Sequence, residues 1–196
     1  MRINTKSTPP NYSDIYIDPE TGDVYYYNDK HQISRLDGPA VECSNGYKAW
    51  YVNGKLHRID GPALEYSNGR KVWYIDGKRH RTDGPAIEDS NGSKFWYVND
   101  ELHRLDGPAI EFSNGDKEWY VNDKLHRTDG PAIERSNGNK EWFINGKLHR
   151  IDGPALEYSN GTRYWYVNGK FIGDSTNGFT NKDFEEYKKR NNIKEQ

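Results

Sequence analysis

The sequence has a single cysteine, Cys43, which excludes an internal disulfide and a cysteine-rich zinc site. It has no apolar run long enough to span a membrane. Residues 1–14 are polar and lack the apolar segment of a signal peptide. We therefore expect a cytoplasmic protein without transmembrane insertion.

A strong charge of one sign is also absent, since the net charge is -2 and the isoelectric point about 6.3. This balance gives no long-range attraction to nucleic acid or to an anionic membrane, so no nucleic-acid partner is expected. Hydrophobic residues make up only 33% of the chain, too few for a large aliphatic core. Aromatic residues reach 14%, a content that disordered chains lack, so we predict a fold whose buried area comes largely from rings.

The sequence does contain a tandem repeat with a constant spacing of 23 residues and no insertions. Asp-Gly-Pro-Ala begins at Asp37, Asp60, Asp83, Asp106, Asp129 and Asp152. Tryptophan recurs in step at Trp50, Trp73, Trp96, Trp119, Trp142 and Trp165. Ser-Asn-Gly recurs at Ser44, Ser67, Ser90, Ser113, Ser136 and Ser159. Such regularity is typical of repeat proteins whose neighbouring units stack directly.

Each repeat contains two short runs that favour β-structure, for example residues 109–113 and 118–121. Asn-Gly joins the two runs and predicts a two-residue hairpin, because both turn residues tolerate positive φ. A second turn, such as Asn53-Gly54, follows the tryptophan run. We predict an all-β fold, an elongated stack of β-hairpin repeats that forms a twisted antiparallel sheet or a β-solenoid, with a short C-terminal α-helix.

Alternation along a strand assigns the side chains to two faces. It places Trp and the aliphatic residue two positions later on one face, which we expect to form the buried stripe together with the aliphatics of the first strand. The tyrosine between them points to the other face, as does the residue before Trp. We expect this second face to bind a partner. The candidate partner-binding residues are Tyr51, Tyr74, Tyr97, Tyr120, Tyr166, Phe95, Phe143 and Tyr164.

The two ends of the chain depart from the repeat. We predict an N-terminal extension over residues 1–21, loose over residues 1–12, and a repeat array over residues 22–171 that starts with a degraded half-unit. Residues 172–196 form a C-terminal cap and tail. Within this tail a helix is predicted over residues 180–191, with Thr180 as N-cap, Asp183 in the first turn, and Phe179 and Phe184 as a hydrophobic staple. This helix either caps the last repeat or docks a partner.

The pattern Asn-Gly-x-x-x-Trp-Tyr-x-Asn-Gly-x-x-His-x-x-x-Gly, over residues 22–171, resembles MORN repeats. That resemblance implies elongated twisted sheets of stacked hairpins that mostly serve as protein-interaction scaffolds, some of them linked to phospholipids. The chain departs from the pattern because His-Arg stands where MORN units carry His-Gly, and the glycine between the MORN Tyr and Trp is missing. The repeats also look like those of phage and giant-virus proteins. This second resemblance implies a viral protein that acts in the host cytoplasm on a host factor, for example as an inhibitor of host defence.

The repeated His-Arg-x-Asp element forms a second set of candidate residues, a polar ladder. Its members are His57, Arg58, His80, Arg81, His103, Arg104, His126, Arg127, His149 and Arg150. Equivalent histidines in a stack of hairpins lie about 10 Å apart, whereas one metal ion needs donors at about 2 Å. An enzyme needs one differentiated pocket, and near-identical copies do not provide it. We therefore expect no catalytic residue, no metal site and no cofactor.

Two interpretations of this polar ladder remain open. In one it is structural: arginine pairs with the repeated glutamate or stacks on a ring, and histidine donates to a carbonyl of the adjacent turn. In the other the ladder grips a partner. The sequence as a whole favours a non-enzymatic module that binds a partner protein through one face of the sheet. Alternatives are an array that binds a small ligand (a lipid headgroup, a nucleotide or a glycan) at the repeat junctions, and a structural protein that forms homo-oligomers through the sheet ends.

Overall fold

The structure is a computed structural model that describes residues 2–4 and 12–193, with side chains from residue 12 onward. The backbone falls into two compact units, residues 1–101 and residues 102–196. Both are built from β-hairpins that pair in antiparallel sheets, and one short helix lies near the C-terminus. The predicted fold class is confirmed. No helix among the described residues is long and apolar enough to cross a membrane.

The first hairpin of each repeat joins the strand before Ser-Asn-Gly to the strand that follows it. Its strands are β4 Val41–Glu42 and β5 Lys48–Ala49, β8 Leu64–Glu65 and β9 Lys71–Val72, β12 Ile87–Glu88 and β13 Lys94–Phe95, β16 Ile110–Glu111 and β17 Lys117–Glu118, β20 Ile133–Glu134 and β21 Lys140–Glu141, and β24 Leu156–Glu157 and β25 Arg163–Val167. In the first of these turns Gly46 N donates to the Cys43 carbonyl at 2.9 Å, and only Gly46 has positive φ. The predicted two-residue turn is therefore wrong here. The serine adds a third loop residue, and the glycine takes the left-handed position of a bulged turn.

The second hairpin follows the tryptophan, at which the backbone leaves the strand in every repeat except the last. Its strands are β6 Tyr51–Val52 and β7 Lys55–Leu56, β10 Tyr74–Ile75 and β11 Lys78–Arg79, β14 Tyr97–Val98 and β15 Glu101–Leu102, β18 Tyr120–Val121 and β19 Lys124–Leu125, β22 Phe143–Ile144 and β23 Lys147–Leu148, and finally β26 Lys170–Asp174, which pairs with β25. Asn53 and Gly54 both have positive φ, at 50° and 77°, so the predicted two-residue turn is confirmed here.

The first hairpins make up the main sheet of each unit. At the N-terminus three further strands join it, β1 Arg2–Asn4, β2 Asp14–Ile17 and β3 Val24–Tyr27. In residues 1–101 the strand order is β1-β2-β3-β4-β5-β8-β9-β12-β13, and in residues 102–196 it is β16-β17-β20-β21-β24-β25-β26. Residues 2–4 were expected to be loose, but their backbone pairs with β2. The expected loose segment at Pro9 and Pro10 lies outside the described residues.

Backbone hydrogen bonds also link each repeat to the next. Trp50 N donates to the Ala63 carbonyl at 2.8 Å, and Gly77 N donates to the Leu56 carbonyl at 2.8 Å. Ala63 and its equivalents are fully buried on one side of the sheet. On the other side, Leu64 and Val72 belong to the buried apolar cluster of residues 1–101.

The C-terminal segment packs as predicted. The helix α1 spans Asn181–Arg190, and Thr180 is its N-cap in a capping box with Asp183. Phe184 is 1% exposed and packs in a cluster with Trp165 and Phe179. The helix therefore caps the last repeat, and the partner-docking alternative remains a prediction.

Candidate functional site

The arginine of each His-Arg pair organises one face of the repeat. Arg81 Nε donates to Asp83 at 2.9 Å, while its Nη1 donates to Glu88 at 3.0 Å and to the Pro85 carbonyl at 3.2 Å. The guanidinium carbon lies 4.1 Å from the centre of the Trp73 ring, which is a cation–π contact. Nε and Nη1 of this arginine are therefore engaged within the repeat array.

The same hydrogen bonds recur at five other arginines: Arg35, Arg58, Arg104, Arg127 and Arg150. Arg58, Arg127 and Arg150 also lie 4.0 Å from the centres of Trp50, Trp119 and Trp142. We call this side the tryptophan face, defined by these arginines, Arg81 and the tryptophans from Trp50 to Trp142. The contacts that the structural interpretation predicted for arginine are all present, and they occur together.

The aspartates of the tryptophan face are held in their ionised form. Hydrogen bonds from the neighbouring arginines lower the pKa values of these carboxyls below the usual 3.8; the residues are Asp60, Asp83, Asp106, Asp129 and Asp152. A carboxylate stabilised in this way is a poor general acid at neutral pH.

The histidines contact the turn of the next repeat through Nδ1. Nδ1 of His149 accepts a hydrogen bond from the Asn168 backbone N at 3.0 Å, across the junction with the next repeat. Equivalent bonds run to His57, His80, His103 and His126 from residues 76, 99, 122 and 145. Nδ1 of His80 and His103 also lies 3.1 and 2.7 Å from the side-chain oxygens of Asn99 and Asn122 in the same turns. The predicted donation to a carbonyl of the adjacent turn stays a prediction. Burial lowers the pKa of His149, so its neutral form is favoured.

The tyrosines share their face with the buried aliphatics, and we call this side the tyrosine face. Val41 pairs with Ala49 across the first hairpin, and both belong to the core cluster. Tyr51 packs against the same cluster, as do Tyr74 and Tyr97. The predicted buried stripe of tryptophan and aliphatics is therefore wrong. Alternation correctly placed tryptophan and tyrosine on opposite faces of the second strand. The register between the first and second strands of the repeat was not known, so the face of the first-strand aliphatics was assigned wrongly.

All eight candidate partner-binding residues are half-buried: Tyr51, Tyr74, Tyr97, Tyr120, Tyr166, Phe95, Phe143 and Tyr164. Phe95 also packs against the core cluster. These side chains support the sheet and keep part of their surface open, and their role in partner binding stays a prediction.

The residue after the repeated glutamate also lies on the tyrosine face. Five different residue types occupy this position in the six repeats. Its members are Cys43, Tyr66, Asp89, Phe112, Arg135 and Tyr158, and all are half-buried. In residues 1–101 this face is aromatic around Tyr47 and Tyr66, and it also carries an ion pair between Arg70 and Asp89 at 2.9 Å. The rings of Tyr47 and Tyr66 lie 5.2 Å apart, and burial raises the pKa of Tyr47 to about 12.

In residues 102–196 the tyrosine face carries charged groups. Glu118 is buried, and it accepts hydrogen bonds from Arg135 at 2.8 Å and from the Tyr120 hydroxyl at 3.1 Å. Arg135 also pairs with Asp116 at 3.3 Å. Burial raises the pKa of the neighbouring Glu141 carboxyl. Glu118 and Glu141 therefore stand at the positions that Ala49 and Val72 occupy in the first unit.

One set of residues on the tyrosine face was not identified from the sequence. It comprises the residue after the glycine of Ser-Asn-Gly: Tyr47, Arg70, Ser93, Asp116, Asn139 and Thr162. Asp116 accepts a hydrogen bond from Ser136 N in the next repeat at 2.7 Å. The set lies two residues before the position that precedes Trp, so alternation could have placed it on the same face.

The tryptophan face carries exposed apolar side chains at the position between Arg and Asp. Ile59 is 85% exposed and Leu36 is 64% exposed. Between them lies a groove of about 660 Å³, with Pro39, Trp50 and Val52 among its lining residues. We call it the first groove.

The equivalent groove of the last repeat is filled by the chain itself. Trp165 is only 2% exposed, and it contacts the Phe179 ring at a centroid distance of 5.2 Å. Gly173 stands at the position of the arginine, and a Cβ there would lie 2.4 Å from the ring of Phe179. An aromatic ring thus replaces the guanidinium on the last tryptophan.

Among the residues that the structure describes, no group of three or more His, Cys, Asp or Glu side chains is arranged to hold a metal ion. Comparison of the chain with protein-family models and with curated proteins finds no match.

Proposed function

We propose that this chain is a non-enzymatic binding module that recognises a partner protein through the tyrosine face. The observation that carries the proposal is the separation of constant from variable residues. On the tryptophan face the same arginine, aspartate and glutamate recur and bond to one another. On the tyrosine face a constant row of aromatic residues is flanked by positions that change from repeat to repeat.

The chemistry of the tyrosine face suits protein recognition. Half-buried tyrosines offer rigid contact area at a low entropic cost, and the hydroxyl gives each ring a polar tip. The rings of Tyr47 and Tyr66 give the first unit an aromatic surface. The groups of Asp116, Arg135 and Glu141 give the second unit a charged one. A partner with an apolar patch and a charged patch would match both.

The alternative of one small ligand at each repeat junction predicts a polar group left for that ligand in every repeat. Nε and Nη1 of the junction arginine and Nδ1 of the histidine instead bond within the array, which counts against this alternative. The resemblance to viral repeats makes a host protein the natural candidate for the partner, which guides the choice of lysate.

The test is affinity capture of proteins from native lysate with the tagged full chain. A tyrosine-face variant carries Tyr66→Asp and Phe112→Arg. The array already holds these residue types at equivalent positions, Asp89 and Arg135, and circular dichroism of the variant checks that it folds. A matched control carries Lys71→Ser and Lys117→Ser, both exposed and on the opposite side of the same hairpins.

We expect one stoichiometric protein that is retained by the wild type and by the lysine control and is lost from the tyrosine-face variant. Loss in the lysine control alone would contradict the assignment of the face. Capture of no protein by a folded, monodisperse chain would contradict the function itself.

A further inference from the structure

We propose that the partner inserts an arginine side chain beside Glu141 on the tyrosine face, an inference that rests on the binding function proposed above. Glu141 stands at the position before tryptophan, and so does Glu118 in the preceding repeat. The two glutamates occupy equivalent places in the sheet of residues 102–196, but their surroundings differ. That difference indicates which group is missing at Glu141.

The carboxylate of Glu118 is neutralised within the chain. Glu118 pairs with Ile133 of β20, and Arg135 follows that strand on the tyrosine face. Arg135 Nη1 lies 2.8 Å from the Glu118 carboxylate, and the Tyr120 hydroxyl donates to it at 3.1 Å. Because a buried carboxylate is costly without such partners, the guanidinium and the hydroxyl explain how Glu118 can be only 8% exposed.

Glu141 lacks the counterparts of both groups. It pairs with Leu156 of β24, and the residue that follows this strand in place of the arginine is Tyr158. Phe143 stands in place of Tyr120, so the hydroxyl is missing as well. Among the residues that the structure describes, none forms a hydrogen bond or an ion pair with the Glu141 carboxylate. A half-buried carboxylate is thus left without a cation in contact with it.

The charge of Glu141 is poorly compensated in the free chain. Burial raises the pKa of its carboxyl; the charge of Arg135 opposes this shift, and that of Glu118 adds to it. Arg135 is itself paired with Glu118 and with Asp116, at 2.8 and 3.3 Å. Natural proteins keep unfavourable local arrangements of this kind at functional sites. A cation supplied from outside the chain would give Glu141 the partner that Glu118 already has.

The rings near Glu141 favour arginine as the source of that cation. Burial and the charge of Glu141 raise the pKa of Tyr158, so this ring lies close to the carboxylate. The rings of Tyr158 and Tyr164 lie 5.8 Å apart and nearly perpendicular, at 86°. A guanidinium stacks on aromatic rings, is more weakly hydrated than an ammonium group, and can donate two hydrogen bonds to one carboxylate.

The tryptophan face already uses the same combination of groups. There Arg81 bonds to the Asp83 carboxylate at 2.9 Å while its guanidinium carbon lies 4.1 Å from the centre of the Trp73 ring. At Glu141 the carboxylate and the rings are present, and the guanidinium is the part that the partner would bring.

The test uses N-acetyl-arginine methylamide as the probe and follows the proton–nitrogen correlation spectrum of the full chain at pH 7. We expect saturable shifts of the amide signals of residues 141, 143 and 158, with little change in residues 12–101. N-acetyl-citrulline methylamide has nearly the same shape without the charge, and it should cause no saturable shifts. The corresponding lysine compound should bind severalfold more weakly.

Two variants remove the site in different ways. Glu141→Gln keeps the size of the side chain and removes its charge, so we expect the saturable shifts to disappear. Tyr158→Arg combined with Phe143→Tyr gives Glu141 the two partners that Glu118 has, and an internal guanidinium should then exclude the probe. The exposed Glu101→Gln is the matched control and should respond as the wild type does. Circular dichroism of each variant checks that it folds.

Shifts that persist in Glu141→Gln, an equal response to the citrulline compound, or no saturable shift with the arginine compound would overturn the proposal. An equal affinity for the lysine compound would overturn the choice of arginine. The probe requires no partner protein, so this result is separate from the affinity capture. A captured protein that binds the wild type and Glu141→Gln equally would overturn the arginine contact alone. Capture of no protein would overturn the proposed function, whatever the probe does.

Discussion

At the residue scale, the repeated arginine joins a turn, a strand and an aromatic ring that lie within one repeat length of the chain. Arg81 connects the turn at Asp83, the strand residue Glu88 and the ring of Trp73. Only a planar group with several fixed donors can bond two carboxylates and a carbonyl while its face lies on an aromatic ring. This geometry explains why arginine and not lysine occurs at all six positions from Arg35 to Arg150.

The substitution Arg81→Lys tests this account. Lysine keeps the charge but loses the fork of donors and the flat stacking surface, so we expect the free energy of unfolding to fall by about 1–3 kcal/mol. Urea denaturation followed by circular dichroism measures the change, and Lys71→Arg is the control at an exposed position. An unchanged urea midpoint in Arg81→Lys would mean that charge alone matters.

Glu141 gives a prediction with a defined pH dependence. Burial raises the pKa of its carboxyl above the usual 4.5, so the charged form is less favourable in the folded chain than in the unfolded one. A raised pKa stabilises the fold at pH below the unfolded value, and that stabilisation is lost as the pH rises through the folded value. We therefore expect Glu141→Gln to raise the melting temperature at pH 7.

The gain from Glu141→Gln should disappear as the pH is lowered to about 4, where the wild-type carboxyl is protonated in both states. Thermal unfolding at pH 7 and pH 4 measures both values, and the exposed Glu101→Gln serves as the control. A lower melting temperature at pH 7 would show that the attraction to Arg135 outweighs the burial of the charge.

At the element scale, the hairpins and the helix could be predicted from the sequence, and the faces only in part. Asn-Gly marked both turns, but the serine before it changed the first turn to a bulged three-residue loop. Alternation placed Tyr51 opposite Trp50 correctly. It could not show that Val41 lies on the tyrosine side, because that follows from the register of β4 against β5.

The arginine network was anticipated as one of two interpretations, whereas the backbone N–H group that faces Nδ1 of each histidine was not. The hydrogen bond to Nδ1 comes from the backbone N–H of a residue with positive φ in the next repeat, such as Asn168. A single sequence does not reveal which backbone group of a neighbouring hairpin faces a side chain. The first groove was also not predicted from the sequence. The apolar residue between Arg and Asp lies outside the strands, so alternation along a strand assigns it to no face.

The helix α1 yields a prediction about a local structural unit. Phe184→Ala removes a fully buried ring, a change that typically costs about 3–5 kcal/mol. Because the contacts of α1 are with the last repeat, we expect faster amide hydrogen exchange in β25, β26 and α1 and little change in residues 12–101. Phe171→Ala is the control, since that ring is 48% exposed. Faster exchange throughout the chain would contradict a local role for the helix.

At the scale of the whole molecule, the two units carry tyrosine faces of different character. The first has an aromatic cluster around Tyr47 and Tyr66 beside an ion pair between Arg70 and Asp89, and the second buries charged groups around Glu118, Arg135 and Glu141. A protein with a purely structural role would not need this difference between the tyrosine faces of its two units. The relation to MORN repeats stays a prediction, although the hairpin array that it implies is present in both units.

The most direct test of the central claim is the stoichiometry of the purified complex, measured by native mass spectrometry on the full chain and its captured partner. The account predicts one partner protein per chain, with the complex absent for the Tyr66→Asp, Phe112→Arg variant and intact for the Lys71→Ser, Lys117→Ser control. Several small ligands per chain, or a complex that survives the tyrosine-face substitutions, would contradict it.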